Sequence, residues 1–396
     1  MKKDTLWKKE FVLLAIANLF MSVAFYFIIP TLPIYIETIL HEGRSTIGFV
    51  LASYSIAALL IRPFIGMALD RWGRKTIYLG SFLVFALLFN IYALTAGVLF
   101  LVVLRFMHGL TWGTISTASS TVVVDIIPPE RRGEGIGIFG LSTTVGMAVG
   151  PALGLLITHS FSYSAMFIGG GALAISGFIL SLFVKYPKYV PPAVKSGVSM
   201  KNLFERRSFP ASLSIFVIML TYGGLLSFVA IYGKQIGIQN PGTFFIIYAL
   251  GLGISRFFAG RIFDRTGPKT LSIAGLLSLM AGFLVLALEQ NHWGFLTAGL
   301  FMGMGVGIIF PTFQALVNNM VPPERRGAAN STFFTAVDLG IGLGMIIMGI
   351  LADAISISNA FLVSFVVIFV GLIITIYHMV PHYERHKIAS GTKEPA

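Results

Sequence analysis

The stretch "RPFIGMALDRWGRKT" at Arg62–Thr76 returns as "RFFAGRIFDRTGPKT" at Arg256–Thr270, 194 residues later (256 − 62). Eight of the fifteen positions agree: Arg62/Arg256, Phe64/Phe258, Gly66/Gly260, Asp70/Asp264, Arg71/Arg265, Gly73/Gly267, Lys75/Lys269 and Thr76/Thr270. A second pair shares the offset, since "PPERRG" occurs at Pro128–Gly133 and at Pro322–Gly327. Two matches at one spacing identify an internal duplication, which governs how everything between them is read.

Hydrophobic residues make up 56% of the 396 and charged residues 11%, with a mean hydropathy of +0.86. A soluble domain carries about 25% charged residues. This chain has too little polar surface for water, and its apolar runs of about 20 residues recur at lengths that cross a bilayer core. The runs and their breakers predict twelve helices near 11–36, 46–69, 76–96, 98–127, 134–158, 163–184, 210–232, 242–264, 270–289, 293–320, 328–352 and 359–380. The expected architecture is all-α and membrane-integral. A first half spans 1–184, a cytoplasmic linker 185–209, and a second half with a short tail 210–396. The start "MKKDTLWKKEF" resembles a signal n-region. The run that follows is too long for a signal peptide and lacks a small-residue cleavage site, so it reads as a retained first helix.

The net charge of +12 suggests nucleic acid until the basic residues are placed. With both termini inside, cytoplasmic segments hold 22 of the 28 Lys and Arg; external loops hold only Arg44 and Lys234, and Arg62, Arg105, Arg256 and Arg261 lie within helices. This is the positive-inside asymmetry, so the charge is topology and no nucleic-acid partner is expected. Cysteine is absent, which excludes disulfides, thiol nucleophiles and thiolate metal sites. No phosphate-binding G-x-x-x-x-G-K-[ST] loop, metal cluster, paired carboxylates or nucleophile elbow is present. Neither an enzyme nor a nucleotide-driven pump is expected, and no cofactor.

A charge inside the bilayer is costly and marks function by default. On helix 4, Arg105, His108, Trp112, Ser116 and Ser119 form one polar stripe. On helix 1, Asn18, Ser22 and Tyr26 share a face; helix 7 offers Thr221 and Tyr222, and helix 10 offers Gln314 and Asn318. These are the candidate cargo contacts, with braced helix packing as the competing role for each. Asp338 is the one acidic residue placed near mid-membrane, ~15 Å past the cytoplasmic start of helix 11. Its counterpart in the first half is Thr144, so the duplication is broken there. Arg62 sits at similar depth on helix 2, making Asp338, Arg62, Arg105 and His108 the candidates for proton coupling. The "PPERRG" loops read as hairpins between helices 4 and 5 and between 10 and 11. Proline ends the helix, Arg holds the loop inside, and Glu130 and Glu324 offset charge locally.

Twelve helices in two duplicated halves with these loops resemble the major facilitator superfamily. "GMALDRWGRK" at Gly66–Lys75 is similar to that family's loop signature between helices 2 and 3; the copy at Gly260–Lys269 departs at Pro268. "LVVLRFMHGLTWG" at Leu101–Gly113 resembles its helix 4 signature. Gly137, Gly146, Gly150, Pro151 and Gly154 resemble its helix 5 pattern, with Leu155 replacing a final glycine. The resemblance implies a proton-coupled exporter of small organic molecules, probing two conformations by alternating access, monomeric, in a bacterial-type plasma membrane. It also implies a cytoplasmic gate: Asp70, with Arg71, Gly73, Arg74, Lys75 and Asp125, against helix 11, and Asp264 and Arg265 in the second copy. Helix 2 is implied to pack on helix 11, bringing Arg62 to Asp338. Gly150 and Pro151 are expected where helix 5 meets helix 8. Helix 1 lacks the carboxylate between Glu10 and Glu37 that many such exporters carry. An importer or sugar symporter, a lipid flippase and a membrane receptor of the same fold are the alternatives.

Overall fold

A computed structural model describes residues 6–95, 97–128, 131–186, 204–322 and 325–388, excluding the side chains of residues 63, 66–67, 70, 132–134, 137, 148, 256–266 and 326–327. The chain forms helices α1 (Lys9–Thr38), α2 (Arg44–Trp72), α3 (Arg74–Ile91), α4 (Val98–Ile126), α5 (Arg132–Ser160), α6 (Tyr163–Leu182) and α7 (Phe209–Gln235). Gly242–Leu288 is hydrogen-bonded throughout but broken at Gly267, and its parts 242–266 and 267–288 are α8 and α9. Then follow α10 (His292–Asn319), α11 (Arg326–Ala354) and α12 (Ile357–Ile374). Among the described residues eleven helices are long and apolar enough to cross a membrane, and α8 adds the shorter apolar stretch Gly242–Ser255. The protein is thus all-helical and multi-pass.

The duplicated loops show why their glycines recur. Gly73 ends α2 at φ 85° and Gly267 ends α8 at φ 76°, left-handed values that a side chain disfavours. The next helix starts at once in both, so each loop is a single-residue corner. Helix 12 departs from expectation, because it does not stop near 380. A π-turn over Thr375–Met379 leads into a short α13 (Val380–His386) with Pro381 in its first turn. Proline cannot donate to the preceding turn, and the loosened backbone widens there.

The described residues fall into two compact units. The first holds the chain up to 186, Leu226–Gln235 and Gln239–Ile246; the second holds the remainder. Within the first, α1 packs on α5 and α6, α2 on α4, and α3 on α4 and α6. The second repeats that scheme one element at a time. Gly340 and Gly344 bring α11 onto α7 at Phe216, Met219 and Leu220; Gly303 and Gly307 bring α10 onto α8 at Tyr248, Leu252 and Ser255. Gly275 and Gly305 join α9 to α10, Gly371 lies against Val217 of α7, and Phe283 meets Phe361 across α9 and α12.

The glycines at the closest crossings are themselves duplicated. Gly109, Gly113, Gly146 and Gly150 in the first unit match Gly303, Gly307, Gly340 and Gly344, each 194 residues on (303 − 109). A Cβ placed on Gly150 would lie 2.6 Å from the Tyr26 Cβ and 2.8 Å from the Val23 carbonyl oxygen, both on α1. In lipid no hydrophobic force drives helices together, so backbone approach through small residues is the main source of packing energy. Gly140, on the same helix, has nothing within 4 Å of a Cβ. Gly150→Ala is therefore expected to cost ~1–3 kcal/mol by overpacking, while Gly140→Ala is neutral or gains up to ~1 kcal/mol of helix propensity. Thermal unfolding of both variants in detergent checks this, and equal tolerance at the two sites contradicts it.

Candidate functional site

The polar residues inside the membrane are assembled differently in the two units. In the first, α4 carries Arg105 and His108, and both are buried, at 2% and 0% exposure. Tyr92, in the 3-10 turn after α3, joins the cluster: its hydroxyl lies 3.1 Å from His108 Nδ1. The guanidinium carbon sits 4.4 Å from the Tyr54 ring centre, on α2. His108 is walled by Phe85 and Phe89, at 4.5 and 4.7 Å between ring centres. Trp112 continues the α4 stripe, half-buried, and stacks on Phe25 of α1 at 4.0 Å. The stripe found in the sequence is thus a convergence of four helices, and sequence reasoning missed Phe25, Tyr54 and Tyr92. A tyrosine preceding Arg105 by 13 residues carries no periodic signal; only the fold brings it there.

Other candidates serve packing in this structure. Asn18 Nδ2 donates to Ser142 Oγ at 2.6 Å and Thr143 Oγ1 at 3.0 Å, binding α1 to α5, and Ser22 is buried against Gly146. Tyr26, half-buried, occupies the gap left by Gly150. Ser116 Oγ turns to the Gly113 carbonyl at 3.4 Å, a bond within its own helix. The close approach that Gly146, Gly150 and Gly154 permit is to α1, and on the same helix Ala152 Cα and Leu155 Cβ lie 3.4 and 3.5 Å from a Cβ placed on Gly242, the first residue of α8.

In the second unit, Thr221 donates to the Ile218 carbonyl at 2.7 Å, and Tyr222 lies parallel to Tyr248 with 6.5 Å between ring centres. Asn318 and Asn330 exchange amide hydrogen bonds of 3.3 and 2.8 Å between α10 and α11, and the Gln314 carbonyl accepts from Asn318. Asp338 is half-buried on α11, twelve residues past Arg326 (338 − 326) and ~18 Å along the helix. Arg62 is half-buried in α2 of the first unit.

After the corner at Gly73, Arg74 opens α3 and forms an ion pair with Asp125 at the end of α4, each side chain about a quarter exposed. Lys75 Nζ stands 5.9 Å over the Tyr186 ring. Burial holds the Tyr186 phenol well above its ordinary range, and its hydroxyl donates to the Ser181 carbonyl at 2.7 Å. Arg71 is exposed. The side chains of Gly66, Asp70, Gly260, Asp264 and Arg265 lie outside the described residues, as do Glu130 and Glu324. In the second "PPERRG", Arg325 is offset from elsewhere in the chain: its Nε pairs with Glu205 at 2.9 Å. Glu205 also receives Arg207 N, and its own amide donates to Thr332 Oγ1. The linker's end is thereby pinned to the α10–α11 hairpin.

Membership of a transporter family follows from this duplicated twelve-helix arrangement and its loop. The chain belongs to the Major Facilitator Superfamily, whose pattern matches residues 14–246 and 211–396. It is a membrane carrier, not an enzyme. Among its relatives, "Multi-drug resistance efflux pump PmrA homolog" of Lactococcus lactis is 25% identical over 368 residues, covering 89% of this chain and 90% of the relative. "Staphylopine export protein" of Staphylococcus aureus is 23% identical over 349 residues, 85% of this chain and 88% of the relative. A solved bacterial homolog of the human lysosomal transporter Spinster, inward-facing and unoccupied, superposes with a TM-score of 0.78 at 15% identity, over 96% of this chain and 98% of that one.

The Arg74–Asp125 pair is open to direct measurement. A double-mutant cycle of Arg74→Gln and Asp125→Asn, read by thermal unfolding, should give a coupling of ~0.2–1 kcal/mol. The coupling should shrink in high salt. Additive effects with no coupling contradict the pair.

Proposed function

We propose that this transporter exports a small organic molecule, apolar or amphipathic, in exchange for protons through alternating access. The observation that carries the reading is likeness over nearly the full chain to relatives named for efflux and export. In this reading the protein works as a monomer in the plasma membrane, both termini cytoplasmic. The Arg71, Arg74, Lys75 and Asp125 loop with Asp70 serves as the conformational gate, and Asp338 carries the proton.

Two features support Asp338 in that role. It lies deep in α11, and the duplication supplies no acid at its mate Thr144, so the fold does not need one there. A membrane carboxylate whose surroundings alternate between dry and cation-faced changes its protonation with the conformation. Transport against a gradient needs that link between proton and movement.

Proteoliposomes with an imposed pH gradient test the assignment. Asp338→Asn should reduce pH-driven export at least about tenfold while cargo exchange without a gradient continues, since the amide keeps the shape and loses the proton site. pH-driven export at the wild-type rate would remove Asp338 from the coupling.

A further inference from the structure

We propose that Arg105 anchors an anion-binding subsite in the first unit, which takes the carboxylate of an aromatic or amphipathic organic acid. The inference refines the cargo class of the export reading and rests on that reading for its physiological meaning.

The subsite is defined by an imbalance of donors. Arg105 Nε and Nη1 are buried with no hydrogen-bond partner, as is His108 Nε2. Tyr92 Oη and His108 Nδ1 share a hydrogen bond of 3.1 Å whose direction the imidazole tautomer sets. Two buried guanidinium donors of Arg105 therefore remain without an acceptor, with one imidazole nitrogen also unmatched. Their complement is a group with several acceptor oxygens and a negative charge.

No residue of the surrounding helices supplies that charge. Arg105 forms no ion pair among the described residues. Between Glu10 and Glu37 α1 has no acid, α3 has none at all, α2 has only Asp70 and α4 only Asp125. Asp125 is twenty residues from Arg105 (125 − 105), hence ~30 Å along α4, and Asp70 is sixteen from Tyr54 (70 − 54), ~24 Å along α2. What covers the guanidinium is the Tyr54 ring, a weaker partner than a carboxylate.

A bracing role for the fold is disfavoured by the duplication. The second unit builds the same helix pairs with Gly299, Met302 and Leu286 at the places of Arg105, His108 and Tyr92, each 194 residues on. Of the residues around that cluster, Tyr54 and Phe89 keep their mates, Tyr248 and Phe283. The charged cluster is thus an addition to one half. The body of the ligand is specified by the row of rings next to the charge: Tyr54 on Phe25 at 5.2 Å, Phe25 on Trp112 at 4.0 Å, and Trp112 to Phe85 at 6.0 Å. Trp112 is the half-buried end of that row. A flat apolar group stacks there while its carboxylate displaces the Tyr54 ring from Arg105.

Calorimetry on the full-length protein in uncharged detergent, with 2-naphthoate and the neutral 2-naphthamide, tests this without any gradient. Naphthoate should bind with Kd below about 1 mM and at least about tenfold more tightly than the amide. Arg105→Gln should abolish the difference, and Arg105→Lys should keep part of it. The ligand-free melting temperature gives an independent readout: removing an unpaired buried charge should leave it unchanged or raise it. Equal binding of acid and amide, no binding of naphthoate, or a fall in melting temperature for Arg105→Gln overturns the proposal. Arg105-dependent stabilisation by chloride or by an anionic phospholipid in place of naphthoate overturns the organic-acid assignment. A failure of pH-driven export in proteoliposomes would sink the antiport reading and leave this binding result standing.

Discussion

Backbone pressed against backbone at glycine is the contact on which this protein depends. Gly109 and Gly113 seat α4 on α2, Gly146 and Gly150 seat α5 on α1, and their mates seat α10 on α8 and α11 on α7. Lipid offers helices no gain for burying leucine, so close packing and the few available hydrogen bonds must hold each bundle. The duplicated loop then turns the chain within one residue, at Gly73 and Gly267. Two units of the same plan result.

Against that repeated scaffold stand a few departures from symmetry that place ionisable groups in the membrane. Arg105, His108 and Tyr92 stand where the second unit has Gly299, Met302 and Leu286; Asp338 stands where the first has Thr144. Each half thus holds one ionisable feature the other lacks, a cation-bearing cluster in the first and a carboxylate in the second. Charges are expensive in a bilayer and persist where they act. The division suits a carrier that binds its cargo through one set of groups and its proton through another.

Much of this was legible in the sequence, for physical reasons that differ by element. Helix number follows from runs of about 20 apolar residues, which are a property of the linear chain. The duplication was visible because the Arg62–Thr76 loop is too constrained to drift. Partners were harder. The glycines of α5 announced a contact face, yet only the fold showed that α1 fills it, since 43 glycines in one chain leave many ways to pair faces. Arg325 looked like a loop anchor and instead meets Glu205, 120 residues away in the chain. Tyr92 and Tyr54 reach Arg105 for the same reason: tertiary neighbours leave no periodic trace. Helix 12 runs on past its expected end near 380 because Pro381 falls in the first turn of the short helix that follows, where a missing N–H costs nothing.

Whether cargo and protons move in opposite directions through this one chain is open to a single direct measurement. Wild-type protein in proteoliposomes would be given a panel of fluorescent amphiphiles of both charge signs, with a pH-sensitive dye trapped in the lumen. Antiport requires that a cargo from the panel accumulates in the acidic lumen, that the lumen alkalinises as it enters, and that an ionophore collapsing the pH gradient stops both. Accumulation at the same rate without a gradient, or cargo movement with no change in lumenal pH, would contradict it.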